Sequence, residues 1–156
     1  MSEGHEARLK SLGIELPRAS APVANYVPYA ESAGLVVVSG QISVWNGEPR
    51  FVGKLGREFG VAEGREAARL CALNILAHVR VAAGGNLDRV RRCIRLGGYV
   101  NCMPDFTEMP QVVNGASDLM VEVFGDAGKH ARAAVGVASL PLGVAVEVEA
   151  IFALER

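Results

Sequence analysis

The closing segment, ARAAVGVASLPLGVAVEVEAIFALER from Ala131 to Arg156, constrains the fold more than any other stretch of the chain. Two alternating apolar runs are split by Leu140-Pro141-Leu142-Gly143, as in a pair of strands joined by a break. Side chains on a strand alternate between faces, so Val135 and Val137 fall on one side and leave Arg132, Ala134, Gly136 and Ala138 on the other. In the second run Val144, Val146 and Val148 form the packed face, while Ala145, Glu147 and Glu149 share the opposite one. A long cation among very small neighbours, followed by two carboxylates on one strand face, suits a hollow that contains fixed charges. Two alternatives stand beside that reading. Arginine and glutamate on an open sheet face also form solvated cross-strand pairs, contributing roughly 0.2–1 kcal/mol. The small residues also suit close approach by a helix or by another copy of the chain.

A chain of 156 residues with half of them apolar fits one domain over 1–156, with residues 1–20 as an N-terminal extension. Cys71, Cys93 and Cys102 are an odd number with no CxxC spacing, and no signal-like or membrane-spanning apolar run precedes them. A reducing cytoplasmic setting without a membrane partner is therefore expected. A net charge of -1 argues against a dedicated nucleic-acid surface. Arg89, Arg91, Arg92 and Arg95 are the one basic cluster and read as a solvated or edge-protecting strand face. Eighteen glycines and 6% aromatics imply close packing of small aliphatic groups, and oligomerisation is expected to cover part of the surface.

Along the chain, EARLKSLG reads as a short helix ended by Gly13, and the proline-rich LPRASAPVANYVPYAESAG as irregular chain pinned through Tyr26 and Tyr29. Leu35–Val38 suits a buried strand, followed by a hairpin at Asn46-Gly47. Helical spacing of Ala68, Cys71, Ala72, Ile75, Leu76 and Val79 predicts a helix over Glu63–Ala83. Val90–Asn101 reads as a strand with Ile94, Leu96 and Val100 on one face. A second helix over Glu108–Phe124 takes Thr107 or Asp105 as its N-cap, and its stripe is Val112, Val113, Ala116, Leu119, Met120 and Val123. The order β-β-α-β-α-β-β predicts an α+β fold with two helices on one face of a mixed sheet.

No familiar metal spacing, nucleotide-binding glycine pattern or nucleophile–base pair is present, so neither a metal nor a nucleotide bound through the usual fingerprints is expected. Tyr29, Ser39, Asn114, Arg132 and Glu147 remain as polar residues at element ends or open faces. Each has a plain structural reading: an interface aromatic for Tyr29, a strand-end cap for Ser39, a solvent-facing helix residue beside Asp118 for Asn114.

APVANYVPY, LVVVSGQ, VVNGASDLM and HARAAVGVASLPLGVAVEVEAIFAL, in this order and spacing, resemble the RidA/YjgF reactive intermediate deaminase family. The resemblance runs from about Ala21 to the C-terminus and is most specific in R-x-x-V-x-V-A-x-L-P followed by V-E-V-E-A. It implies a chorismate-mutase-like fold assembled as a homotrimer, with clefts between subunits. It further implies hydrolysis of enamines and imines to 2-oxo acids and ammonia, with no cofactor or metal. The family's carboxylate-binding arginine falls on Arg132 and its water-activating carboxylate on Glu147. Its cleft tyrosine falls on Tyr29, its SGQ block on Ser39 and Gly40, and its helix asparagine on Asn114. The cysteine that often follows the arginine by two residues is Ala134 here, which leaves only a backbone role at that position. The N-terminal segment and the longer connection over Asn101–Met109 mark a divergent, longer branch. Two alternatives stay open: a trimer that binds 2-oxo acids without turnover, and endoribonuclease or translation-inhibitor activity, which the net charge of -1 disfavours.

Overall fold

The computed structural model describes residues 3–22 and 24–155; Met1, Ser2, Val23 of the APVANYVPY block and Arg156 lie outside the described residues. The chain forms α1 (His5–Ser11), β1 (Tyr29–Ser32), β2 (Leu35–Ile42), the short β3 (Val44–Trp45) and β4 (Glu48–Pro49), and α2 (Val61–Ala82). It continues through β5 (Val90–Asn101), α3 (Met109–Phe124), β6 (Ala131–Val137) and β7 (Val146–Leu154). Five strands make one mixed sheet in the order β1-β2-β7-β5-β6, antiparallel except for the β5–β6 pair. The expected α+β class and its β-β-α-β-α-β-β order hold, with β1 arising inside the segment expected to be irregular. β3 and β4 form the hairpin, and Asn46 and Gly47 both take the positive φ that a two-residue turn with right-handed strand twist requires.

One face of the sheet is dry. Val36, Val38, Leu96, Val100, Val146, Val148 and Phe152 point from it against α2 and α3. The predicted stripe of α3 is buried in full, and α2 buries more than one stripe because it also lies under α3 and the N-terminal segment. Its two buried polar residues are partnered. Asn74 Nδ2 donates to the carbonyls of Val44 at 2.7 Å and Leu70 at 3.0 Å, and His78 Nε2 lies 3.2 Å from Ser20 Oγ. α1 docks on this side through buried Leu9, an edge contact of the His5 ring with Phe124, and an ion pair between Glu6 and Arg80.

Several expectations are corrected. α2 begins two residues early, where the Glu63 carboxylate accepts from the Gly60 N–H at 3.2 Å. β2 continues to Ile42 rather than stopping at Val38. α3 is capped by Glu108 without a side-chain bond, not by Thr107 or Asp105. In β5, register shifts at Val90/Arg92 and Cys93/Arg95 turn the spacing of two into three, so Val90, Cys93 and Leu96 face the core and Ile94 does not. β6 pairs with β5 only from Arg95 on, so Arg91 and Arg92 stand exposed where β5 runs past β6, while Arg89 precedes the strand and Arg95 pairs with Glu149. Tyr26 is 60% exposed rather than pinned, and Ala145, expected beside the glutamates, is buried, its N–H donating to the Phe51 carbonyl at 2.8 Å.

α2 and α3 approach closely at Gly115, where an added Cβ would stand 2.0 Å from the Arg65 carbonyl oxygen. Backbone cannot yield as a flexible side chain does, so Gly115→Ala forces the helices apart. Its urea midpoint, at fixed protein concentration, is expected to fall by the equivalent of about 1–3 kcal/mol; an unchanged midpoint contradicts this packing.

Candidate active site

Arg132 sits on edge strand β6 with Leu96 as its register partner, so its side chain turns to the helix-covered side. There Nη1 donates to Asn114 Oδ1 at 2.7 Å and to Ser117 Oγ at 3.2 Å, two residues one turn apart on α3. Both partners are neutral, and among the described residues the Nε and Nη2 groups have no hydrogen-bond partner and the guanidinium no carboxylate. The Nε–Nη2 edge is the fork that matches a carboxylate with two parallel hydrogen bonds. Ala134 follows on the same face, half-buried against the core. Asn114 therefore faces the sheet rather than solvent, while Asp118 pairs outward with Arg65 at 2.9 Å.

Glu147 lies on the other face. Its register partners are Ile42 on β2 and Tyr99 on β5, and its carboxylate occupies the space over Gly40, where a Cβ would meet Oε1 at 2.6 Å. Glu149, two residues on, accepts from Tyr99 Oη at 2.7 Å and from Arg95 Nη1 at 3.3 Å. Glu147 has no such partner among the described residues, and burial, then repulsion from Glu149, raises its pKa above the ordinary carboxylate value. The phenol of Tyr99 is likewise pushed up, first by its hydrogen bond to Glu149 and then by burial. Ser39 precedes Gly40 on β2. Its Oγ donates to the Val27 carbonyl at 2.7 Å and its N–H to the Pro28 carbonyl at 2.9 Å, which ties the segment before Tyr29 to β2.

The sequence-derived candidates thus fall into separate groups within one chain. Arg132, Asn114 and Ala134 lie together on the helix-covered side at β6; Gly40 and Glu147 meet on the opposite face of β2 and β7, with Ser39 next to Gly40 in the chain. Tyr29 is half-buried on β1, at the far edge of the sheet from Arg132. Four strand spacings separate those edges, roughly 19 Å at the usual spacing of neighbouring strands. A small ligand held by Arg132 cannot reach Glu147 of the same chain, because the sheet stands between them. Ser117 and His130 escaped the sequence reading although both carried a signal: Ser117 lies three residues after Asn114, and His130 shares strand parity with Arg132. Arg95 and Tyr99 share strand parity, but only the non-local pairing of β5 with β7 brings Glu149 to them.

Cys71 and Cys93 are buried, and burial raises the Cys71 thiol well above its usual value and pushes Cys93 up to about 12. No group of three His, Cys, Asp or Glu residues that could hold a metal ion occurs among the described residues, and no described helix is long and apolar enough to cross a membrane.

Comparison with known proteins places this geometry in a lineage. The family model described as "YjgF/chorismate mutase-like, putative endoribonuclease" matches residues 6–153. Protein TCP17 of Trypanosoma cruzi is 50% identical over 151 residues, covering 96% of this chain and 94% of that protein. The crystal structure of Atu1372 from Agrobacterium tumefaciens, a protein of unknown function, is 47% identical with a TM-score of 0.89, covering 97% of this chain and 94% of that one. Escherichia coli TdcF, solved with bound serine, is 28% identical with a TM-score of 0.62, covering 91% and 97% of the two chains. The match spans nearly the whole chain and both halves of the candidate site, and the protein belongs to the RidA/YjgF family.

Proposed function

We propose that the protein is a cofactor-independent deaminase that hydrolyses enamines and imines of the 2-aminoacrylate and 2-iminobutyrate type to 2-oxo acids and ammonia. The observation that carries this reading is the guanidinium of Arg132, fixed to two neutral oxygens of α3 with its forked edge unpartnered among the described residues. Such an edge fits a planar 2-imino acid carboxylate. The sheet face that bears Glu147 is covered by no helix of the described residues and exposes Leu35, Val37 and Val135 beside the glutamates, as expected of a surface that meets further copies. Clefts between the subunits of a homotrimer would set Arg132 of one copy near Glu147, Ser39 and Tyr29 of the next.

In that cleft the chemistry asks little of the protein. An enamine takes a proton at C3 to become the iminium, whose C2 is electrophilic. Water adds to C2 while Glu147 accepts one of its protons, and that proton passes to nitrogen. The carbinolamine collapses as C–N breaks and Glu147 takes the hydroxyl proton, releasing ammonia, leaving the 2-oxo acid and balancing the proton taken up at C3. Arg132 holds the carboxylate throughout, so that proximity and a general base supply the acceleration. Glu147 suits the base role better than Glu149, which is already engaged with Tyr99 and Arg95. The serine bound in TdcF supports a small amino-acid-like ligand and also favours a second reading, a trimer that binds 2-oxo acids without turnover.

A coupled assay with freshly generated 2-iminobutyrate separates these readings: the deaminase accelerates its loss, whereas the binding protein takes up 2-oxobutyrate without changing that rate. Arg132→Ala is expected to lower kcat/KM roughly 30- to 1000-fold, and Arg132→Lys to weaken 2-oxobutyrate binding because an ammonium lacks the fork; equal rates in Arg132→Ala and wild type refute the clamp. Glu147→Gln is expected to lower kcat about 10²- to 10⁴-fold. Because the folded pKa of Glu147 is raised, the rate should climb with pH through a window above the ordinary carboxylate range. The same shift makes Glu147 progressively unfavourable to folding as pH rises from its unfolded value through its folded one. Glu147→Gln should therefore melt no lower than wild type at pH 7, and a large loss of stability would contradict the assigned environment.

A further inference from the structure

The hydrogen bonds behind Arg132 form a directed chain. His130 Nδ1 lies 2.6 Å from the Gly128 carbonyl oxygen, which can only accept, so Nδ1 carries the proton. In the neutral ring Nε2 is then an acceptor, and Ser117 Oγ, 2.9 Å away, donates its hydroxyl proton to it. The serine's lone pairs are thereby aimed away from the ring and receive Arg132 Nη1 at 3.2 Å. Each member fixes the orientation of the next: carbonyl, imidazole, hydroxyl, guanidinium. The far end is rigid, since a Cβ on Gly128 would stand 2.1 Å from the Met120 carbonyl oxygen, so the turn after α3 is seated against the helix backbone.

We propose that Ser117 and His130 are positioning residues for the carboxylate clamp, holding the Nη1 side of Arg132 against α3 so that its Nε–Nη2 edge faces the ligand. The inference rests on Arg132 being that clamp. Asn114 alone would leave the guanidinium free to turn about a single 2.7 Å contact; the second acceptor, oriented by His130, fixes the plane. Burial, and secondarily the charge of Arg132, lower the His130 pKa against the opposing hydrogen bond to Gly128, which keeps the ring in the neutral form that the chain requires. His130 immediately precedes β6, two residues before Arg132, and Ser117 lies one turn beyond Asn114 on α3, so the approach to the edge strand and the helix jointly build the support.

Calorimetric titration of the full-length assembly with 2-oxobutyrate tests this without depending on turnover. Ser117→Ala and His130→Ala are each expected to raise Kd about three- to tenfold, the loss of one supporting hydrogen bond. The double variant should bind no worse than the weaker single one, because severing the chain once removes its effect. His130→Gln, which can present an acceptor near the Nε2 position, should bind within about twofold of wild type. Should His130→Ala fail to fold, Ser117→Ala and His130→Gln still decide the matter. Wild-type affinity in both alanine variants while Arg132→Ala abolishes binding would overturn the positioning role alone, as would losses that multiply in the double variant. Wild-type affinity in Arg132→Ala would overturn the clamp itself.

Discussion

A β-sheet has two sides and a side-chain period of two, and the chemistry of this protein depends on that constraint. One side is closed by α2 and α3 and holds the apolar core; the other carries Glu147, Glu149, Tyr99 and Arg95 among exposed apolar residues. Arg132 belongs to the closed side but lies on the outermost strand, where α3 reaches it with Asn114 and Ser117. The cation is thus half-sheltered at an edge, and the carboxylate that would act with it stands across the sheet. A site combining both has to be completed by another copy, for which the uncovered side offers a surface.

The two charged clusters are organised in different ways. Around Arg132 every partner is a neutral oxygen, so its charge is oriented without being neutralised. Across the sheet, two glutamates on adjacent same-face positions repel one another, and the structure relieves this unequally. Glu149 takes the phenol of Tyr99 and the guanidinium of Arg95, while Glu147 is left half-buried with a raised proton affinity. That inequality separates a structural carboxylate from one suited to accept a proton. The ion pair of Arg95 and Glu149 is itself about two-fifths exposed at each partner, so its contribution is orientation more than stability.

Much of this was readable before any coordinates. The apolar stripe of α3, the extent of β5, the Asn46-Gly47 turn and the face assignments of Arg132 and Glu147 all follow from period and turn chemistry, which are local properties. Failures came where non-local packing overrides period. Two register shifts in β5 moved Ile94 out of the core and brought Cys93 in; close approach of the Phe51 segment buried Ala145. Asn114 looked solvent-facing beside Asp118 because nothing in a helix pattern says that an edge-strand arginine lies opposite it. For the same reason Ser117 and His130 went unnoticed: each is unremarkable alone, and only the pairing of α3 with β6 makes them neighbours. Parity showed that Arg132 and Glu147 belong to defined faces, but whether those faces coincide depends on how the parallel β5–β6 pair closes the sheet.

The central claim is that the working site takes its arginine from one copy of the chain and its glutamate from another. Mixing Arg132→Ala with Glu147→Gln subunits, by co-refolding equal amounts of two separately inactive variants, tests it directly. Random co-assembly restores a site wherever a chain with intact Arg132 meets one with intact Glu147, which predicts recovery of roughly a quarter of wild-type imine hydrolysis. Mixed assemblies that form yet stay as inactive as either variant alone would contradict it.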